Sequence, residues 1–420
     1  MSILESIRAA RRSTIRVGVL AAVTVTAVSG LVGCAGSASQ DGAAGGCNSP
    51  GVTADSITVA SVSPLSGPSA STFAGFVEGA RARFEVENAA GGVNGRKIEL
   101  TTNDDLGDGA AQVTAARNAV QSQKAFGILH ASRVDTMFDY LASQNVPVTG
   151  FPGQIAYQTM DNAFGFAGTA SIGYPSTAQS QFFVDRGVQR LGVLANNSTG
   201  SKGAAEGLIS VAPTVGLNVE ESSLDIPVGA FDATSIALQM KNAGVDGLFM
   251  PLVTDSSVSI LKAIKAQGVE LKAAYMQGLY DPKITDQVGD LLDGVSSPPV
   301  GTVPVEVDDE ATKRLVSAMT EYGDGVDPRT GFTTPGYVSA DLFIEGLNKA
   351  GACPTREGFV TALRAVTDYA GDGLLVEPAN FAEGPVKGGF PYGRCAWFVT
   401  YAGGAFVPDP AATCGEIQGL

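Results

Sequence analysis

Residues 63–71 read SPLSGPSAS, and with Thr72 they set four hydroxyls, Ser66, Ser69, Ser71 and Thr72, around Gly67 and two prolines. The stretch follows the β-branched run SITVASV and precedes TFAGFVEGARARFEVENAAGG, which has helical spacing. A strand-to-helix turn of this kind offers hydroxyls together with the free N–H groups and positive dipole end of a helix start. That chemistry grips a carboxylate or another small polar group. Two sharper readings are excluded by the residues present. A phosphate cradle needs G-x-x-x-x-G-K-[ST], and the turn has no Lys. A nucleophile elbow needs G-x-S-x-G, an order that LSGPS lacks. The plain alternative is a capped helix with no ligand.

Other reactive residues are sparse. His130, the single histidine, ends the run FGILH near the same crevice edge. As a base it would need a nucleophile and an orienting acid, and no serine motif supplies them, so a hydrogen-bonded or ligand-contacting His is expected. One His and five Cys give no zinc constellation, and no metal or cofactor is expected. Asp104-Asp105 reads as a solvated turn or helix cap. NNSTGSKGAAEG, residues 196–207, lacks the first Gly of a phosphate loop and reads as a strand-to-helix loop facing a crevice.

These residues need elements to hold them. From residue 56 onward, short β-rich runs alternate with amphipathic ones: SITVASV, helix 72–90, KIELTTND, helix 109–123, FGILH, helix 134–144 and VPVTG. After NAFGFAGTA the pattern restarts with helix 174–186, RLGVLAN, helix 201–213, NVEESSLDI, helix 232–243, GLFMPL, helix 256–267, LKAAYMQG and a short helix near 283–291. Helices at 308–322, 335–350 and 355–366 follow. Such alternation predicts an α/β protein with two parallel sheets side by side. Ligands of parallel sheets bind beyond the carboxyl ends of the strands, where SPLSGPSAS sits.

The chain has 420 residues and a formal charge of −15, which opposes phosphate-backbone binding; no nucleic-acid partner is expected. Residues 1–33 carry Arg8, Arg11, Arg12 and Arg16 ahead of an apolar run that stops at LVGC, the pattern of an export signal. LVGC resembles a lipobox, which would make Cys34 the lipidated N-terminus on the outer face of a bacterial cytoplasmic membrane. An uncleaved N-terminal anchor is the alternative. Residues 34–54 then form a flexible tether. Cys47, Cys353, Cys395 and Cys414 remain, an even set that suggests two disulfides among three possible connectivities. Cys395 and Cys414 bracket AWFVTYAGGAFV, which reads as a hairpin, so their ends could meet, leaving Cys47 for Cys353; free buried thiols are the alternative.

The run ITVASVSPLSGPSASTFAGFVEGARARFEVENAAGGVNGRKIELTTNDD resembles the first module of the leucine/isoleucine/valine-type periplasmic binding proteins of ABC transporters, here in lipoprotein form. The likeness continues through FDATSIALQMKNAGVDGLFMPL and LLVEPANFAEGPVKGGF. It implies a type I periplasmic-binding fold: two doubly wound lobes joined by three hinge crossovers near 168, 299 and 390. Lobe 1 would hold 55–168 plus 300–390, and lobe 2 would hold 169–299 plus 391–420. Under that division Cys47–Cys353 and Cys395–Cys414 each stay within one lobe, whereas the other pairings would lock the lobes together.

The resemblance also implies a pocket. The P-L-S-G-P turn is present as Pro64 to Pro68 and includes Ser66 and Gly67. The family's aromatic wall falls on Thr72, with Phe73 beside it, and its serine after the third strand falls on Ala131, with Ser132 adjacent. The next turn reads Gly153-Gln154. In lobe 2 the aromatics fall on Gly200, ahead of Ser201, and around Val253-Thr254, ahead of Asp255. The acid that pairs a ligand ammonium falls near Leu279, with Tyr280 and Asp281 next to it. A buried ammonium without a carboxylate costs several kcal/mol. Either Asp281 or Asp255 replaces the acid, or the ligand is not an amino acid.

The function so implied is a monomeric, non-enzymatic receptor that closes on a small solute, an amino acid or related carboxylate, and docks on an ABC permease. A sensor presenting ligand to a signalling receptor is the alternative. A lipid-anchored hydrolase is a remote third, since no triad can be assembled.

Overall fold

The computed structural model describes residues 47–166, 175–382 and 394–418. The export signal, Cys34, most of the tether and the crossovers expected near 168 and 390 lie outside the described residues.

In strand β1 (Ser56–Ser63), Ile57 and Val59 face one apolar cluster while Ala60 and Val62 face another. A strand buried on both faces needs helices on both sides, which is the condition for a parallel sheet. β1 is joined by β2 (Lys97–Asp104), β3 (Gly127–His130), β4 (Val148–Gly150) and β5 (Ala163–Gly165), all parallel, in the order β2-β1-β3-β4-β5. The second sheet contains β6 (Arg190–Asn196), β7 (Asn218–Ile226), β8 (Gly247–Met250), β9 (Ala273–Met276) and β10 (Val295–Ser296). After the short β11 (Cys395–Ala396), it gains β12 (Val399–Ala402) and β13 (Ala405–Pro408), and β14 (Thr413–Cys414) pairs with β11. Its order is β13-β12-β10-β9-β8-β6-β7, with the hairpin β12–β13 antiparallel.

The helices are α1 (Phe76–Ala89), α2 (Gly109–Arg117), α3 (Phe138–Ser143), α4 (Ala156–Thr159), α5 (Ala178–Asp185) and α6 (Thr199–Val211), then α7 (Ala233–Ala243), α8 (Thr254–Ala266), α9 (Pro282–Leu292), α10 (Glu310–Tyr322), α11 (Thr333–Ala350) and α12 (Arg356–Arg364). One cluster packs residues from Val52 to Phe166 with residues from Val300 to Phe381, so the last three helices belong to the first sheet's core. Two further clusters cover the faces of the second sheet. The result is two doubly wound parallel-sheet lobes.

Three helix starts differ from the sequence expectation in ways that matter for the site. The helix expected from 72 begins at Phe76, because Gly75 takes φ +85° and residues 69–73 coil into turns, with Thr72 N–H donating to Ser69 O at 3.2 Å. A Cβ on Gly75 would lie 2.2 Å from Thr333 Oγ1. Helices α6 and α8 each begin two residues earlier than expected, which places Gly200, Ser201, Thr254 and Asp255 in first helical turns.

Both expected disulfides are present. Cys47–Cys353 ties the segment ahead of β1 to the loop after α11, and Cys395–Cys414 cross-links β11 to β14, with Cα separations of 5.2 and 3.9 Å.

Candidate functional site

In each sheet the strand order reverses once, between β1 and β3 and between β6 and β8. The carboxyl ends of those strands leave a crevice, because the connections on either side run to opposite faces. Four turns therefore flank two crevices: those after Ser63 and His130 in the first lobe, and those after Asn196 and Met250 in the second. These turns meet. Thr72 Oγ1 accepts from Thr254 N–H at 2.9 Å and lies 3.2 Å from Thr254 Oγ1. Gly200 N–H donates to Arg133 O at 3.4 Å. The Arg133 guanidinium reaches Leu252 O at 3.5 Å and bonds Gln277 Oε1. Ser71 Oγ donates to Asp255 Oδ1 at 3.5 Å on the exposed rim.

Local networks hold each turn. Asn196 Oδ1 accepts from Val253 N–H at 2.8 Å, while Ser201 Oγ accepts from Asn196 N–H at 2.9 Å and donates to Pro251 O, so the ends of β6 and β8 are pinned together. In the first lobe Gln154 Nε2 donates to Ser132 O at 2.9 Å, joining the turns after β4 and β3. Where the lobes touch, glycine is required. A Cβ on Gly200 would sit 2.8 Å from Gln154 Nε2 and from Gly153 O. Gly278, at φ +78°, would place one 2.1 Å from Thr254 Oγ1.

Two crevices on paired doubly wound lobes thus face each other across these turns. A family profile described as "Periplasmic binding protein" matches residues 56–405. The chain belongs to the periplasmic binding protein family. Its relatives are substrate-binding proteins and not enzymes. The leucine-, isoleucine-, valine-, threonine- and alanine-binding protein of Pseudomonas aeruginosa is 25% identical over 330 residues, covering 75% of this chain and 84% of its own length. Among solved structures, a fatty acid ABC transporter substrate-binding protein from Thermomonospora curvata has a TM-score of 0.74 at 21% identity, over 89% of this chain and 96% of that one. An ABC transporter solute-binding protein of R. palustris in complex with benzoate has a TM-score of 0.69 at 14% identity, over 87% and 98%.

Within this binding protein, Thr72, Ser132, Gly153, Gln154, Gly200, Ser201 and Thr254 are buried at or beside the meeting turns. The other expected site residues are placed differently. Ser66 and Gly67 lie on an exposed turn, with Ser66 Oγ donating to Asp104 Oδ2 at 2.5 Å. Phe73 points into the core, 4.7 Å from the Phe332 ring. Asp255 is exposed at the rim. Tyr280 is buried and bonds Glu306, accepting in turn from Val305 N–H at 2.9 Å. Asp281 caps α9, accepting from Lys283 N–H at 2.8 Å. His130 is fully buried, its Nδ1 2.9 Å from Tyr157 Oη; burial pushes it down to about 3, so it is a neutral core residue and has no access to the crevice.

The residue that sequence reasoning passed over is Arg133. It follows Ser132 in the turn after β3, is 5% exposed, and crosses to the second lobe. Burial pushes its guanidinium down to about 10, against a smaller opposing contribution from Tyr275, so it stays cationic at neutral pH. Its Nε has no hydrogen-bond partner, and no carboxylate pairs with it among the described residues. A separate open-sided hollow of about 490 Å³ lies at the far, C-terminal end of α8, between Leu261 and Gly268 and the end of α9, away from the meeting turns.

Proposed function

We propose that this binding protein is an exported receptor, anchored through lipid on Cys34, that captures an amino acid or related small carboxylate between two closing lobes and delivers it to an ABC permease. The lobes are 55–168 with 300–390, and 169–299 with 391–420, hinged at crossovers near 168, 299 and 390. The observation that carries this reading is the pair of strand-end crevices facing each other through hydrogen bonds such as Thr72 to Thr254. A polar interface of this kind opens more readily than an apolar core, because water can replace each bond. The ligands named for the relatives agree in one group: the amino acids of the Pseudomonas protein, the fatty acid of the T. curvata protein and the benzoate of the R. palustris protein all carry a carboxyl.

Thermal unfolding against a panel of amino acids, aliphatic and aromatic acids and small amides tests the reading. A ligand at about a hundred times its Kd adds about 2.7 kcal/mol to the folded state, so a true ligand raises Tm clearly. A panel in which no compound moves Tm would count against a solute receptor. The anchor is tested separately: Cys34→Ser should release the protein from the membrane fraction, and continued membrane association would refute lipidation at that residue.

A further inference from the structure

We propose that Arg133 selects the ligand by charge, receiving an organic monocarboxylate that has no ammonium group. This rests on the reading of the chain as a closing solute receptor and names the class of solute. Arg133 extends from the turn after β3 across the interface, and each partner that it finds there is neutral: the carbonyl of Leu252 and the amide of Gln277. Elsewhere, half-buried Arg83 has Asp341 at 2.9 Å and Glu87 at 3.1 Å, and half-buried Arg356 bonds three backbone carbonyls; Arg133 is buried more deeply than either and has neither a carboxylate nor a partner for its Nε. A dehydrated cation without a counter-ion is costly, and a carboxylate arriving between the lobes supplies the missing charge in a site where a paired, charge-assisted bond is strong.

The acids that could have served an ammonium are engaged elsewhere. Asp281 is the N-cap of α9 and shares its surroundings with Lys283, Arg329 and Asp327. Asp255 stands on the exposed rim with Ser71. Asp105, the buried acid beside Ser132, already accepts from Gly107 N–H at 2.9 Å and Gln112 Nε2 at 3.1 Å. A zwitterionic amino acid that pairs its carboxylate with Arg133 would hold its ammonium close to the same guanidinium, and the like charges repel. An acid such as benzoate or hexanoate has no such conflict.

Isothermal titration of the purified chain with benzoate, hexanoate, benzamide and leucine tests the assignment, using wild type, Arg133→Gln and Arg133→Lys. At least one of the two acids should bind, with benzamide and leucine on the order of 100-fold weaker or worse. Arg133→Gln should lower the acid's affinity by about 100-fold, and Arg133→Lys should recover part of it. Because the substitution removes an uncompensated buried charge, ligand-free Arg133→Gln should melt no lower than wild type, whereas a purely structural arginine would leave a less stable protein. Leucine binding that is indifferent to Arg133→Gln overturns the charge assignment and leaves the receptor reading standing. Binding of none of the four also overturns the assignment, and the wider thermal panel then judges the receptor reading on its own.

Discussion

Thr72 Oγ1 is the acceptor for a backbone N–H of the opposite lobe, and removing it leaves that N–H buried without a partner. Thr72→Val keeps the shape and should weaken ligand binding about tenfold through the closed form alone, with little change in the Tm of the ligand-free protein. Titration calorimetry together with a melt separates the two effects, and an equal loss in both would assign Thr72 to general stability. His130 gives a pH signature at the same scale. Its pKa is about 3 when folded against an ordinary 6.5, so between those values the unfolded chain binds the extra proton. That part of the stability is complete above 6.5 and is lost as pH falls toward 3, by about 1.4 kcal/mol per pH unit. Denaturant midpoints measured across pH 4–7 should therefore slope more steeply for wild type than for His130→Gln; parallel slopes would mean that His130 is protonated in the fold.

At the scale of elements, the first turn of α6 packs against the turns after β3 and β4 of the other lobe. Gly200→Val would drive a side chain into the Gln154 amide and the Gly153 carbonyl, while the same helix remains free to form in an open molecule. We expect the variant to fold and to bind ligand at least tenfold more weakly, and unchanged affinity would place the lobe contact elsewhere. The hairpin β12–β13 edges the second sheet, and its flanks are closed by Cys395–Cys414 over a separation of 19 residues. Replacing both cysteines with serine should cost roughly 3 kcal/mol, seen as a lower denaturant midpoint, and a midpoint equal to wild type would show the hairpin to be held by packing instead. The alternating pattern made most of these elements legible, because the strands of the two parallel sheets are mostly short apolar runs between amphipathic helices. β5 escaped because three residues, Ala163–Gly165, carry no periodicity. The site was legible as far as its turns. Asp281 followed by Pro282 already has the signature of a helix cap, which could have removed it from the ligand acids. Arg133 could not be found this way, since a charged residue in a strand-end turn reads as solvated until a segment 144 residues later buries it.

For the whole molecule, two sheets with matched strand-order reversals place their crevices face to face, and the turns that line them meet through hydrogen bonds of Thr72, Arg133 and Gly200. In the proposed receptor, a solute with groups for both sides favours the closed arrangement; a micromolar solute supplies about 8 kcal/mol, more than a domain closure of a few kcal/mol needs. The most direct measurement is small-angle scattering of the purified chain, recorded alone and with the compound that gives the largest rise in Tm at saturating concentration. The account predicts a contraction on binding, with no contraction in Gly200→Val. A scattering profile that stays the same when the bound compound saturates the protein would contradict it.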